Sequence, residues 1–212
     1  MVQVSEVEYL PGQMVRIAFD DSTSYRIRRS MYRERPLEVG ESVDPEEYAR
    51  WVLMRQYRSA LDKAVAMLAR RACSIGEIRQ KLQRIGYSED TVEMVICKLE
   101  KNHLVDDRDF ADQWTRYRAG QKYGPRRISQ ELRHKGVSQE ETEEALKEMS
   151  EEEQLENAAA LVRKALQRTG AEEDPRKTRQ KILASIVRRG YDWDVGRQAV
   201  EREMHSAGEE EE

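Results

Sequence analysis

Cysteine, histidine and phenylalanine are scarce, with two, three and two residues in a chain of 212. Two thiols, Cys73 and Cys97, cannot staple a small secreted scaffold; they read as small core residues of a chain kept in a reducing compartment. His103, His134 and His205 are scattered with no partner at ligand spacing, so no metal site is expected. No run approaches the roughly 20 apolar residues that a membrane span needs. Met1-Val2-Gln3-Val4-Ser5 also lacks a basic stretch followed by an apolar one, so a soluble, cytoplasmic chain with no membrane partner is expected. The Gly-x4-Gly-Lys-Ser/Thr phosphate loop, the Gly-x-Ser-x-Gly elbow and His-Glu-x-x-His are all missing. Asp106, Asp107, Asp109 and Asp112 cluster, but no histidine or further carboxylate completes a ligand set, and they read as caps and first-turn acids of a helix. A non-enzyme without cofactor is the expectation. Charge is abundant but mixed, with 37 Lys and Arg against 41 Asp and Glu, and the 38% apolar content allows only modest cores.

What the chain does have is one phrase said three times. Ile78-x3-Leu82-x3-Gly86-Tyr87-Ser88 returns as Ile128-x3-Leu132-x3-Gly136-Val137-Ser138 and again as Ile182-x3-Ile186-x3-Gly190-Tyr191-Asp192. The glycines stand 50 and 54 residues apart. The likeness continues past them through Val92, Val95 and Ile96, then Thr142, Ala145 and Leu146, then Gly196, Ala199 and Val200. Such a period means an array of small units, and no single deep pocket is expected.

The N-terminal segment differs in kind. Val15, Ile17 and Phe19 alternate with polar neighbours, and Tyr25 and Ile27 resume after Asp20-Asp21-Ser22-Thr23. Period-2 patterning around a turn predicts a β-hairpin, and Val2, Val4 and Val7 offer a third strand before Pro11-Gly12. Pro36 to Asp44 reads as a connector. Asp44-Pro45 then opens a long helix through Trp51, Tyr57, Leu61, Ala64, Val65 and Leu68 to about Arg71, a lead-in helix joined to the first helix of repeat one.

The repeats share a grammar. Ser74-Ile75-Gly76-Glu77 is a capping box opening a helix with Ile78, Leu82 and Ile85, and Gly86 stops it. Ser88 caps a third helix facing inward through Val92, Val95, Ile96 and Leu99. In repeat two, Asp107 caps a helix with Phe110, Trp114 and Tyr117, Gly124-Pro125 starts the second, and Ser138 to Glu141 is another capping box. Repeat three has Leu155, Ala159, Val162 and Leu166 on its first helix, and a loop from Gly170 to Asp174 accounts for the longer period. Trp193, Val195, Ala199, Val200 and Met204 belong to the last helix, and Glu209 to Glu212 form a solvated tail. The predicted division is 1–43 β extension and connector, 44–59 lead-in helix, 60–103, 104–153 and 154–206 three-helix repeats, and 207–212 acidic tail.

Leu104-Val105-Asp106-Asp107-Arg108-Asp109-Phe110-Ala111, followed by Gly124-Pro125-Arg126-Arg127-Ile128-Ser129-x-Glu131-Leu132-x-x-Lys135-Gly136-Val137, strongly resembles the RecX family of bacterial regulators of the RecA recombinase. Leu68-x-Arg70-Arg71-x-x-Ser74-x-x-Glu77-Ile78-x-x-Lys81-Leu82-x-x-x-Gly86 is similar to that family's first repeat. The resemblance covers about Ala60 to Met204, most loosely in the third repeat. It implies a mainly α fold of three tandem three-helix repeats in an elongated, curved row. It also implies binding along the RecA–DNA filament with suppression of ATP hydrolysis and strand exchange. The N-terminal β extension is present in only some members and inherits no role.

Charge inside the repeats is segregated. From Arg108 to Gly136 there are eight Lys and Arg against three acids, whereas Val137 to Glu153 carries eight Glu against Lys147 alone. In repeat three, Arg176, Lys177, Arg179, Lys181, Arg188 and Arg189 have no acid between them. The middle helices are the basic elements. Either these are ordinary solvated faces with acids at helix starts, or they form a basic stripe once per unit, facing phosphates or an acidic protein groove. The contact candidates are Arg79, Lys81 and Arg84 in repeat one; Arg116, Arg118, Lys122, Tyr123, Arg126, Arg127, Arg133 and Lys135 in repeat two; and Arg179, Lys181, Arg188 and Arg189 in repeat three. Tyr117 lies seven residues after Phe110 on one helical face and reads as core, which leaves Tyr123 as the more open candidate for stacking. The expected partner is RecA in filament form, with weak contact to single- or double-stranded DNA in addition, and the chain is expected to be a monomer. The alternatives are a non-specific DNA binder acting without RecA and a scaffold for another acidic protein. Nothing resembling a dimer device sets a half-site spacing for sequence-specific reading.

Overall fold

The computed structural model describes residues 1–168 and 174–209. It is mainly α, and it divides into two compact units, Met1–Asp106 and Asp107–Glu212.

The first unit opens with strands β1 (Val2–Leu10), β2 (Met14–Phe19) and β3 (Ser24–Arg28), a short helix α1 (Arg29–Tyr32) and a two-residue strand β4 (Ser42–Val43). They form one antiparallel sheet in the order β3-β2-β1-β4. The hairpin and third strand read from the sequence are present, and β4 is a correction, since it lies inside the stretch read as a connector. Two residues are too few to show alternation; Ser42 and Val43 are held there by pairing with Gln3 and Val2. Cross-strand partners Val7–Ile17–Tyr25 and Tyr9–Val15–Ile27 share the inner face. That face packs with Val4, Phe19, Leu37, Val43, Tyr48 and Val52 as one core.

Helix α2 (Pro45–Leu68) is continuous through the predicted lead-in and the first helix of repeat one. Asp44 accepts hydrogen bonds from the Glu46 and Glu47 amides, and Pro45 sits where its missing N–H costs nothing. Tyr48 and Val52 belong to the sheet's core, whereas Ala60 and Ala64 belong to a second core with α3 (Ile75–Ile85) and α4 (Glu89–Lys101). Gln56 lies between the two cores, 4% exposed. Its Oε1 accepts from the Ser88 amide at 2.9 Å and the Thr91 hydroxyl at 3.2 Å, which satisfies a group that would be costly to bury unpaired. Ser74 and Glu77 make the expected reciprocal box, and Gly86 ends α3 at φ +98°.

The second unit holds repeat two, with α5 (Asp107–Gly120), α6 (Pro125–His134) and α7 (Gln139–Lys147), and repeat three, with α8 (Glu151–Leu166), α9 (Pro175–Arg188) and α10 (Trp193–Glu209). Phe110, Ile128, Leu132, Val137 and Ala145 make one core; Ala159, Val162, Ile182, Ile186, Tyr191 and Val200 make the other. The two repeats touch through backbone. Gly124 donates to the Arg189 carbonyl at 2.9 Å, and the Arg126 amide donates to the Gly190 carbonyl at 3.0 Å.

Three local expectations are corrected. Asp107 is the first residue of α5 and its side chain is buried, so the chain enters that helix one residue earlier than a cap at Asp107 requires. Cys97 is exposed on α4, while Cys73 is buried as expected. Tyr117 is 58% exposed. The buried stripe of α5 runs Phe110, Ala111, Thr115, Ala119 and drifts around the helix, so the meridian of Phe110 has turned outward by Tyr117. Of the predicted Gly170–Asp174 loop and the Glu209–Glu212 tail, residues 169–173 and 210–212 lie outside the described residues.

Candidate functional site

The middle helices α3, α6 and α9 carry basic side chains because each ends at a glycine-bearing turn, where cations complement the partial negative charge of the last carbonyls. Two residues before the shared glycine stand Arg84, His134 and Arg188, all exposed. This fixed offset was available in the sequence and identifies His134 as a member that charge counting passed over.

Many of the predicted contact residues are engaged within the protein. Arg118 is 15% exposed on its side chain and donates to Glu131. Its guanidinium carbon lies 3.9 Å from the Tyr123 ring centroid and 5.8 Å from that of Trp114. Arg189 covers the same tyrosine at 5.1 Å and donates to the carbonyl of Gln121 at 3.2 Å. Tyr123 is therefore half-buried among arginines, opposite to the expectation of an open ring. Lys122 donates to Asn157 of α8, and Arg126 pairs with Asp192. Arg127 donates to Glu131 at 3.0 Å, and the Lys135 ammonium stands 4.1 Å from the Trp114 centroid.

Glu131 organises this cluster, although the sequence showed it only as a lone acid in a basic stretch. Burial pushes its carboxyl up, but hydrogen bonds from Arg118, Arg127 and Trp114 outweigh burial and hold it below the ordinary value. Four groups thus tie α5, α6 and the end of α9 together: Arg118, Tyr123, Glu131 and Arg189.

Other candidates are paired more loosely. Arg79 meets Glu93 at 2.9 Å, Arg116 meets Glu148 at 3.0 Å and Arg179 meets Glu201 at 2.7 Å, all with both partners well exposed. Pairs of this kind contribute about 0–1 kcal/mol each, so an outside anion can exchange with them at little cost. Lys181 is exposed. Lys81, Arg84, Arg133 and Arg188 are exposed and have no side-chain partner among the described residues. Repeat one contributes two of these, and repeats two and three one each.

Among the described residues no three His, Cys, Asp or Glu stand close enough to hold a metal ion, and no helix is long and apolar enough to cross a membrane. The chemistry on display is surface charge arranged on helices. The fold and the site together define a helical-repeat protein built of tandem three-helix domains, each with a basic middle helix.

Residues 60–99, 106–146 and 151–200 match the family models described as the first, second and third three-helix domains of RecX. The chain is 32% identical over 156 residues to the regulatory protein RecX of Amycolatopsis mediterranei, covering 73% of this chain and 89% of that one. It is 38% identical over 145 residues to that of Prosthecochloris aestuarii, covering 68% and 93%. A RecX crystal structure from Lactobacillus salivarius superposes with TM-score 0.66 at 22% identity, over 71% of this chain and 97% of that one, and so bears on the fold. The chain belongs to the RecX family of regulatory proteins.

Proposed function

We propose that this chain regulates the RecA recombinase by binding the RecA–DNA filament and lowering its ATP hydrolysis and strand exchange. It would act in the cytoplasm during recombination, DNA repair and the SOS response, and catalyse no reaction itself. Membership of the RecX family supports this reading. The observation that carries it is that each of the three middle helices bears candidate cations that are exposed and have no side-chain partner among the described residues: Lys81 and Arg84 on the first, Arg133 on the second and Arg188 on the third. Contacts spread over three linked domains suit a polymeric, negatively charged target, because linkage multiplies individually weak contacts through effective concentration.

Co-sedimentation with RecA–DNA filaments tests it. The chain is expected to pellet with filaments far more than with free RecA or, at the same salt, with bare single-stranded DNA. The combined change K81E/R84E/R133E/R188E is expected to reduce retention at least about tenfold, since four phosphate- or carboxylate-facing charges are inverted. Equal retention on bare DNA would replace the proposal with a plain nucleic-acid binder.

A further inference from the structure

The N-terminal β extension has no role in the reading above, yet its outer face forms a cleft with repeat one. Cross-strand partners Glu8–Arg16–Arg26 and Leu10–Met14–Arg28 occupy that outer face, opposite the buried one. Met14 reaches across to Gly86 at the end of α3, where an ideal Cβ would lie 2.6 Å from its methyl carbon. Two cavities adjoin there, both bounded by Gln56, Gly86 and Tyr87. The larger, about 360 Å³, is lined by Arg16, Arg26, Ser24, Gln83 and Ser88 with no acid in its wall. The smaller, about 220 Å³, is lined by Arg28, Ser30, Arg55 and Ser59 together with Glu34, the one acid, which Arg55 holds at 2.7 Å.

Arg26 and Arg28 are exposed and have no side-chain partner among the described residues. Arg16 is held only loosely, 3.5 Å and 3.7 Å from Glu6 and Glu8. Alternate residues of a strand stand about 6.7 Å apart on one face, comparable with successive phosphates of an extended nucleic-acid strand. The walls cannot easily spread. Gln56 donates to the Arg26 carbonyl at 3.5 Å while accepting from Ser88 and Thr91, and the Tyr87 hydroxyl bonds Ser59 at 2.8 Å. In a chain with more acids than bases, these are two preformed, adjoining cavities with Arg16, Arg26 and Arg28 on the sheet side, Gln56, Gly86 and Tyr87 between them, and the paired Arg55 and Glu34 in the smaller one.

We infer that the cleft between the β2–β3 outer face and the α3–α4 corner binds single-stranded nucleic acid, with Arg26 and Arg28 holding successive phosphates. The mode is a positively charged groove that tracks a backbone without reading its sequence. The inference goes beyond RecA regulation and does not rest on it, because the strand is held by this chain alone.

Fluorescence anisotropy of labelled oligodeoxythymidine with the full chain at low salt, without recombinase, tests the inference. Wild type is expected to bind. Arg26→Gln/Arg28→Gln should weaken binding at least about tenfold and reduce the slope of log affinity against log salt by about 1.4, the value for two lost contacts to a single strand. Arg26→Glu/Arg28→Glu should weaken it further, while Arg50→Glu/Arg58→Glu, an equal charge change on exposed positions of α2, should leave it within about twofold. Thermal melts of each variant confirm folding. Absence of binding by wild type, equal losses in the two glutamate pairs, or displacement by polyglutamate as readily as by unlabelled oligonucleotide would each overturn the inference, the last by pointing to an acidic peptide. RecA ATPase results do not enter this readout, so the two proposals fail separately.

Discussion

Arg118 lies between Trp114 and Tyr123 and donates to Glu131, a carboxylate that also accepts from Arg127 and the Trp114 indole. Replacing Glu131 by glutamine keeps an acceptor oxygen but removes the negative charge opposite the half-buried Arg118 guanidinium, and so weakens the charge-assisted bonds from Arg118 and Arg127. Glu131→Gln is therefore expected to destabilise the second unit by about 1–3 kcal/mol at neutral pH. The folded carboxyl is held below its ordinary value of 4.5, so its stabilisation is complete above that pH and is lost as pH falls through the lower folded value. Thermal melts of wild type and variant should converge in acid; a gap that persists into strongly acid solution would contradict this account. The composition of this cluster is legible in the sequence, but the direction in which its side chains turn is not. Charge counting treats Arg118, Lys122 and Arg133 alike, although two turn inward to partners distant in sequence and one stays in solvent. The reversal of Tyr117 and Tyr123 has the same origin, since a seven-residue spacing fixes a meridian of one helix but not where the neighbouring helix ends.

At the scale of elements, local rules were the most legible. Both capping boxes form, at Ser74 with Glu77 and at Ser138 with Glu141, and the three phrase-ending glycines all adopt positive φ, +98°, +81° and +94°. These features rest on side chains within a few residues of one another, so sequence carries them. Strand β4 was not legible because its existence depends on a partner about 40 residues away. The seam between repeats two and three was equally hidden. Gly124 has an ordinary negative φ, yet an ideal Cβ there would lie 2.4 Å from the Tyr191 amide nitrogen and 2.5 Å from the Gly190 carbonyl. Its glycine is required by the close approach of another backbone. Gly124→Ala should accordingly lower stability by about 1–3 kcal/mol, the range for forcing an extra group into packed structure. Gly120→Ala meets nothing within 4 Å and is expected to be neutral or slightly stabilising. Urea unfolding of both variants checks this, and a Gly124→Ala protein as stable as wild type would show that the seam yields.

For the whole molecule, the tandem three-helix domains are legible in the periodicity of the sequence and the RecX family in its motifs. What sequence could not do was separate cations that hold the protein together from cations left for a partner. That distinction depends on which acids and rings fold back onto each arginine: Glu131 onto Arg118, Asp192 onto Arg126, Tyr123 onto Arg189. Among the contact candidates it leaves Lys81, Arg84, Arg133 and Arg188 exposed and without a side-chain partner among the described residues, distributed over both compact units. The most direct test of their proposed role is steady-state ATP hydrolysis by RecA on single-stranded DNA. The account predicts that the rate falls as wild-type chain is added and stays near that of RecA alone when the K81E/R84E/R133E/R188E protein is added at the same concentration. A rate unchanged by saturating wild-type chain, or suppressed equally by the variant, would contradict it.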